Sequence, residues 1–215
     1  MQELIVIGAG GCMRELIWQI QILNQQNLSW HILGYVDVAP KSGGLFVGNK
    51  EYPYLGTDEY LLSMKEDTNV AITLGSPAIR KKIAEKLRKN PYLNFPNLIL
   101  ADTDICQDVR MGMGNIISMG TKISTNVTLG DFTFFNMDTM VCHDGNIGSY
   151  TTLSPGVHLA GNVTVGESCD FGMGTRIIQG VTIGNHVITG AGSVVIRDLS
   201  LVGTYVGVPV RNTIE

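Results

Sequence analysis

A histidine and an aspartate stand side by side in the stretch TMVCHDGNIGSY, residues 139–150. An imidazole has an unperturbed pKa of about 6.5, close to cellular pH, so it can accept a proton from an attacking amine or hydroxyl. Acyl transfer from a thioester needs such a base. From residue type alone, an ordinary surface or capping imidazole is the favoured interpretation of His143.

Cys142 directly precedes His143 and offers a different chemistry, attack by a thiolate. Neighbours on an extended chain point to opposite faces, so these two side chains cannot easily hydrogen-bond, and covalent catalysis is the less favoured interpretation. We expect His158 and His186 to face solvent and His31, inside a predicted strand, to be structural. No pair of histidines has a spacing typical of a metal site.

A glycine-rich loop, GAGGCM at residues 8–13, follows a predicted strand and begins a predicted helix. Backbone N–H groups at a helix N-terminus suit a phosphate. The dinucleotide fingerprint requires a third glycine where Met13 stands, so a nicotinamide-dependent oxidoreductase is disfavoured. Asp37, at the end of the second predicted strand, could contact a ribose or a uracil-type group. A tight turn without a ligand is the alternative.

The first half of the chain alternates strand and helix patterns. Apolar runs predict strands over 3–10, 30–37, 69–75 and 94–100. One helix is predicted from Met13, Leu16, Ile17 and Ile20, and another over 76–89, with Ser76 as N-cap and Pro77 in the first helical position. We interpret the basic run of that helix, RKKIAEKLRK, as a solvated face. The alternation predicts a small parallel sheet in an α/β domain.

From residue 99 the apolar period becomes six, a spacing that neither a helix nor a flat strand produces. A short strand followed by a sharp corner does, and three such units close a triangular coil. The sequence therefore predicts an all-β parallel β-helix of roughly five to six coils. Thr189 interrupts the series and Val195 resumes it. The fifteen consecutive apolar positions are Ile99, Ile105, Met111, Ile117, Ile123, Leu129, Phe135, Val141, Ile147, Leu153, Leu159, Val165, Phe171, Ile177 and Ile183.

Composition narrows the class of protein. Of 215 residues, 44% are hydrophobic and 16% charged, and the net charge is −4, which argues weakly against a nucleic-acid partner. We find no apolar run long enough for a membrane span and no signal-peptide pattern at the N-terminus. The cysteines at 12, 106, 142 and 169 form no CxxC motif, which is typical of a reducing cytoplasm. We therefore expect a cytoplasmic protein.

The chain resembles the sugar O-/N-acyltransferases of the left-handed β-helix, or hexapeptide-repeat, class, such as bacillosamine and perosamine N-acetyltransferases and sialic acid O-acetyltransferases. The resemblance spans the chain and rests on IVIGAGG, LGSPAIRKKI, HDGNIGSYTTLSPGVHLAGNVTVGESCDFGMGT and YVGVPVR. It implies a Rossmann-like substrate-binding domain over 1–98, and a left-handed parallel β-helix with a C-terminal tail over 99–215. It also implies a homotrimer with active sites between subunits.

The same resemblance implies direct transfer from acetyl-CoA without an acyl-enzyme or a metal. His143 would be the general base, Asp144 would raise its basicity, and the Gly161 N–H would stabilise the oxyanion. The positions implied to touch acetyl-CoA are Thr152, Gly161, Met173 and Ala191. Arg211, in the terminal GVPVR motif, could meet a CoA phosphate, and a solvated C-terminal arginine is the equal alternative. The positions implied to bind the nucleotide-sugar are Gly10, Gly11, Cys12, Met13, Asp37, Val38 and Gly75.

These implications predict N-acetylation of a nucleotide-linked 4-amino sugar in surface-polysaccharide synthesis. O-acetylation of sialic acid or of another sugar hydroxyl is an alternative. A catalytically idle β-helix scaffold or nucleotide-binding module is a third. Cys12 and Met13 depart from the family pattern, which favours that third interpretation and leaves the identity of the sugar open.

Overall fold

A computed structural model describes residues 1–27 and 29–213. The first part of the chain folds into a five-stranded parallel sheet with helices. The sheet order is β5-β2-β1-β6-β7, and β3 with β4 forms a separate antiparallel hairpin. The elements are β1 (Gln2–Ile7), α1 (Gly11–Gln26), β2 (Trp30–Val36), β3 (Leu45–Val47), β4 (Lys50–Tyr52), β5 (Tyr54–Gly56), α2 (Asp58–Leu62), β6 (Thr68–Ile72), α3 (Pro77–Leu87) and β7 (Leu93–Asn94).

Residue pattern explains most of this domain. The central strand β1 buries four consecutive residues, as a strand covered on both faces requires. Helix α1 buries the predicted apolar stripe, and α3 begins at Pro77 directly after Ser76, as predicted. The prediction of a small parallel α/β sheet is therefore confirmed. The sequence patterns did not reveal the hairpin, β5 or α2, all of which are short.

The predicted strand over 94–100 is wrong, because the segment is divided between two sheets. Leu93 pairs with Thr68 in the first sheet, whereas β8 (Leu98–Ile99) pairs with Ile116 and Ile117 in the second part of the chain. Pro96 stands between the two strands and lacks the N–H that a continuous ladder needs.

From β8 to β24, short strands recur about every six residues, and each strand up to β21 pairs in parallel with the strand three places later in the chain. At the C-terminal end, β23 pairs in parallel with β25, and β25 pairs antiparallel with β26. The strands are β9 (Asp104–Ile105), β10 (Arg110–Met111), β11 (Ile116–Ile117), β12 (Lys122–Ile123), β13 (Thr128–Leu129), β14 (Phe134–Phe135), β15 (Met140–Val141), β16 (Asn146–Ile147), β17 (Thr152–Leu153), β18 (His158–Leu159), β19 (Thr164–Val165), β20 (Asp170–Phe171), β21 (Arg176–Ile177), β22 (Thr182–Ile183), β23 (Val187–Thr189), β24 (Val194–Val195), β25 (Gly203–Val206) and β26 (Arg211–Asn212).

This pairing produces a left-handed β-helix with three flat faces, as predicted. We call the face that contains β8, β11, β14, β17, β20 and β23 the covered face. The second face contains β9 and every third strand to β24, and the third face contains β10 and every third strand to β22. The far edge is the row of turns between the second and third faces, residues 106–109, 124–127, 142–145, 160–163 and 178–181. Because the second and third faces meet at the far edge, this edge lies opposite the covered face.

The apolar column predicted for the axis is present in the structure. Its apolar members from Ile117 to Val195 are buried in one continuous cluster, and Thr189, which replaces an apolar residue in the series, is buried as well. The Thr189 hydroxyl lies 2.9 Å from that of Thr175, so the polar group is satisfied inside the core. The prediction of a buried column is wrong for Ile99, at its N-terminal end. This residue is 41% exposed, because no further coil stacks beneath it.

The first domain packs on the covered face. Leu98, Ile116 and Phe134 project outward from that face and are buried in the same cluster as Met13 and Leu16 of α1. Because β8 already belongs to the β-helix yet packs on the first domain, the division into 1–98 and 99–215 stays a proposal.

Candidate active site

The His143–Asp144 pair lies on the far edge, in the turn between β15 and β16. The two side chains are about half exposed, and Nδ1 of His143 is 2.8 Å from Oδ2 of Asp144. Asp144 has φ +60°, a left-handed conformation that Asp, Asn and Gly tolerate best among the residue types. The sharp corner of the β-helix therefore brings the carboxylate back against the imidazole that precedes it.

Electrostatics determine which ring nitrogen of His143 is free. A hydrogen bond from Asn126, followed by the contact with His143, lowers the pKa of Asp144 below its usual range. Asp144 is then ionised at neutral pH and can only accept, so Nδ1 of a neutral His143 carries the proton. Nε2 keeps its lone pair and can act as a base.

Gly161 stacks directly on His143, one coil further along the far edge. A Cβ at position 161 would overlap Cε1 and Nε2 of the imidazole, so the ring can occupy this place only beside a glycine. Within the described residues, the Gly161 N–H donates to no other group. An unused backbone donor on the residue that stacks on the imidazole is a candidate oxyanion donor.

The other candidate groups of the sequence lie elsewhere. His31 and His186 are exposed, and His158 is partly buried on the second face. Among the described residues, none of the three hydrogen-bonds to His143 or Asp144. No hydrogen bond joins Cys142 to His143 among the described residues. Residues 1–27 and 29–213 contain no cluster of His, Cys, Asp or Glu arranged to hold a metal ion.

Three of the positions suggested for acetyl-CoA border the second face. Gly161 is on the far edge, whereas Met173 and Ala191 stack in successive coils on the edge between the second and covered faces, where both are exposed. Arg211 is exposed in β26. An extended cofactor lying along the second face would pass Gly161, Met173 and Ala191.

Thr152 is placed differently from the other suggested cofactor residues. Its side chain is 5% exposed, donates to the Gly75 carbonyl at 2.8 Å and accepts from Arg80 Nη2 at 2.8 Å. The hydroxyl therefore joins the covered face to the first domain. Because it is buried in that contact, it is not accessible to a cofactor in a single chain.

Two of the suggested sugar-binding residues line a cavity of about 340 Å³ at the carboxyl end of the first sheet. Asp37 and Val38 line it, and Asp37 Oδ1 accepts from the Val38 N–H at 2.7 Å. Thr57, Asp58 and Ile79 also line it but carry no sequence signal that would have singled them out.

The glycine loop runs beside this cavity. Gly10 and Gly11 are exposed, and a Cβ on Gly75 would lie 3.4 Å from the Cys12 Sγ. Met13 has no exposed surface, so any contact it makes with a substrate would be through its backbone. Burial raises the pKa of the Cys12 thiol, which keeps that thiol protonated.

Arg80 is the residue that sequence reasoning missed. The prediction that the basic run 80–89 is a solvated face is wrong at Arg80, which is only 1% exposed. It donates to the carbonyls of Leu74 and Gly75 in the first domain, and to the carbonyls of Phe132 and Tyr150 in the β-helix. Burial lowers its pKa to about 10, so it is still charged at neutral pH. Charge pattern along a helix cannot show that one member turns inward.

Several proteins of known structure are similar to this chain, and one domain profile matches its first part. The profile of the PglD N-terminal domain matches residues 3–87. PerB from Caulobacter crescentus, solved with CoA and GDP-perosamine, is 29% identical with a TM-score of 0.88, over 99% of this chain and 98% of that one. The acetyltransferase domain of PglB from Neisseria gonorrhoeae, solved with acetyl coenzyme A, is 26% identical with a TM-score of 0.85, over 98% of each chain.

WeeI from Acinetobacter baumannii is 25% identical with a TM-score of 0.82, over 98% of this chain and all of that chain. No curated protein sequence matches the chain. Together the matches confirm the resemblance predicted from the sequence motifs, and they support the enzyme class, an acyltransferase. No helix within the described residues is long and apolar enough to cross a membrane.

Proposed function

We propose that this acyltransferase, which shares the N-terminal domain and β-helix of the sugar N-acetyltransferases, transfers an acetyl group from acetyl-CoA to the amino group of a nucleotide-linked 4-amino sugar. The observation that carries the proposal is the far-edge arrangement of an exposed imidazole, a carboxylate on its Nδ1 and, stacked on the ring, a glycine whose backbone N–H is unused among the described residues. The reaction would take place in the cytoplasm and supply a surface polysaccharide.

The proposed reaction needs one base and one oxyanion donor. Nε2 of His143 accepts a proton as the sugar nitrogen attacks the thioester carbon and the new C–N bond forms. The Gly161 N–H donates to the oxygen that becomes negative. The intermediate then collapses, the C–S bond breaks, and the sulfur of CoA takes the proton from the imidazolium. No bond to the protein forms, so no acyl-enzyme is needed.

The positions of the two candidate sites support an assembly of several copies. The first domain contacts the β-helix through the covered face and the turns beside it, as in the Gln19 contact with the Met119 N–H. His143 lies on the far edge, opposite that face. A sugar held in the cavity of the first domain would therefore meet the His143 of another copy, as in the homotrimer that the resemblance implies.

Thiol release from acetyl-CoA tests this function. The panel contains UDP-, dTDP- and GDP-linked 4-amino sugars, and free sialic acid represents the O-acetylation alternative. Turnover with one amino sugar is expected, and His143→Ala should abolish it while His31→Ala, a substitution of an exposed histidine in β2, leaves it intact. Silence across the panel, or turnover that survives His143→Ala, would contradict the proposal.

A further inference from the structure

We infer that Asn126 is a positioning residue for the proposed base, because it holds the carboxylate that orients His143. The inference rests on the proposed function only in taking His143 as that base. Asn126 and Asp144 occupy the same corner of successive coils on the far edge, with φ of +55° and +60°.

The contacts divide the carboxylate of Asp144 between two partners. Asn126 Nδ2 donates to Oδ1 at 2.7 Å, and His143 Nδ1 lies 2.8 Å from Oδ2. A carboxylate with one contact can rotate about its terminal bond, whereas two contacts on different oxygens fix its plane. Asn126 thus determines where Oδ2 lies, and Oδ2 determines the ring orientation and the tautomer of His143.

Asn126 is itself held from the preceding coil. Its backbone N–H donates to Asp108 Oδ2 at 3.1 Å, and the same oxygen accepts from the Thr125 hydroxyl at 2.6 Å. Arg110 Nη2 approaches Asn126 Oδ1 at 3.5 Å. Because a guanidinium can only donate, this contact requires the amide oxygen to face Arg110 and the amide nitrogen to face Asp144. Arg110 therefore donates to Asn126 and Asn126 donates to Asp144, whose other oxygen accepts from His143 Nδ1.

The turn alone would not require this side chain. Left-handed corners favour Asn, Asp or Gly whatever the side chain does, so the residue type at 126 could reflect only its φ. Asn162 occupies the next corner with the same φ of +55°, and no hydrogen bond of its side chain is found among the described residues. Asn126 differs from Asn162 by its contacts with Asp144 and Arg110, which points to a role beyond the turn.

Two substitutions change the contact with Asp144 and leave the turn intact, because Asp and Gly both tolerate the left-handed conformation. Asn126→Asp turns the donor into an acceptor that faces another carboxylate, and Asn126→Gly removes it. We expect kcat to fall about tenfold in the first, which corresponds to about 1.4 kcal/mol, and several-fold in the second. The KM values for acetyl-CoA and sugar should not change. Asp102→Asn, at φ +55° on another edge, is the matched control and should behave as wild type.

A double-mutant cycle shows whether Asn126 acts through Asp144. In an Asp144→Asn background, Asn126→Asp should cause no further loss of kcat, whereas a purely structural defect would multiply with the first. A wild-type kcat in Asn126→Asp, or losses that multiply, would overturn the inference.

A readout without substrate keeps this inference distinct from the proposed function. At a pH where the His143 ring is neutral, its ¹⁵N chemical shifts should place the proton on Nδ1 in the wild type. In Asn126→Gly they should place it partly on Nε2. An unchanged tautomer would refute the role of Asn126 even if His143→Ala is inactive. Turnover that survives His143→Ala would instead refute the proposed function, whatever the tautomer shows.

Discussion

Thr152→Val is expected to loosen the first domain on the β-helix and to weaken sugar binding. Valine keeps the shape of threonine and removes only the hydroxyl, which donates to the Gly75 carbonyl and accepts from Arg80 Nη2, each at 2.8 Å. Neither partner is left alone, because Arg80 Nη1 still reaches Gly75 at 3.0 Å and Arg80 Nη2 still reaches Tyr150 at 2.7 Å.

Those remaining contacts set the magnitude. Loss of a buried hydrogen bond to a charged group costs about 1.5–3 kcal/mol, and we expect about 1.5 kcal/mol because both partners stay paired. For a chain of this size, that predicts a fall in Tm of about 3–6 °C. Gly75 lies on the loop beside the sugar cavity, so the KM for the sugar should rise several-fold. The KM for acetyl-CoA should not change, because the hydroxyl is not presented to the cofactor.

Steady-state kinetics with each substrate varied in turn, together with a thermal melt, measure both effects. Thr151→Val is the matched control. Thr151 is also buried and donates to the Gly166 carbonyl at 3.0 Å, but that bond lies within the β-helix. The control should lower Tm without changing either KM. A rise in the KM for acetyl-CoA in Thr152→Val, with the sugar KM unchanged, would refute our reasoning and favour the direct cofactor contact that the family resemblance implies.

Three further substitutions test other parts of the structure. Gly161→Ala should lower kcat at least tenfold in a folded protein, because the new methyl group displaces the His143 ring; wild-type kinetics would contradict the stacking. Asp170→Asn should raise Tm at pH 7 but not at pH 3. Burial raises the pKa of Asp170 above its usual value, so the stability of the folded protein falls as the pH rises through that pKa. An equal effect on Tm at both pH values would refute this reasoning. Arg80→Met should destabilise the protein by about 3 kcal/mol or more, whereas Arg88→Met, which removes an exposed ion pair with Asp131, should cost less than about 1 kcal/mol; similar melts for the two variants would contradict the burial of Arg80.

The β-helix was predictable because its signal is local and repeated. A six-residue apolar period leaves little choice of architecture, and it also places His143 in a turn two residues after a buried valine. The same period places Asn126 one coil from Asp144, so that contact was within reach of sequence reasoning. Short strands such as β7 were not predictable, because two residues carry no period.

Contacts between the domains could not be predicted, since they join residues with no shared pattern. Nothing in the sequence relates Thr152 to Gly75, which is 77 positions away, or indicates that Arg80 is buried between them. The family resemblance suggested a cofactor contact for Thr152, which a single chain does not present. Residue-by-residue transfer from relatives is least secure where a side chain can serve either packing or a ligand.

The most direct test of our central claim is the activity of mixed assemblies. His143→Ala removes the proposed base, and Val38→Trp, at an exposed position lining the cavity, obstructs the proposed sugar site. Each variant alone should be inactive. If His143 acts on a sugar held by another copy, co-expression of the two should restore about a quarter of wild-type activity, because random mixing pairs an intact cavity with an intact histidine at that frequency. No recovery in assemblies shown to contain both variants would contradict the account.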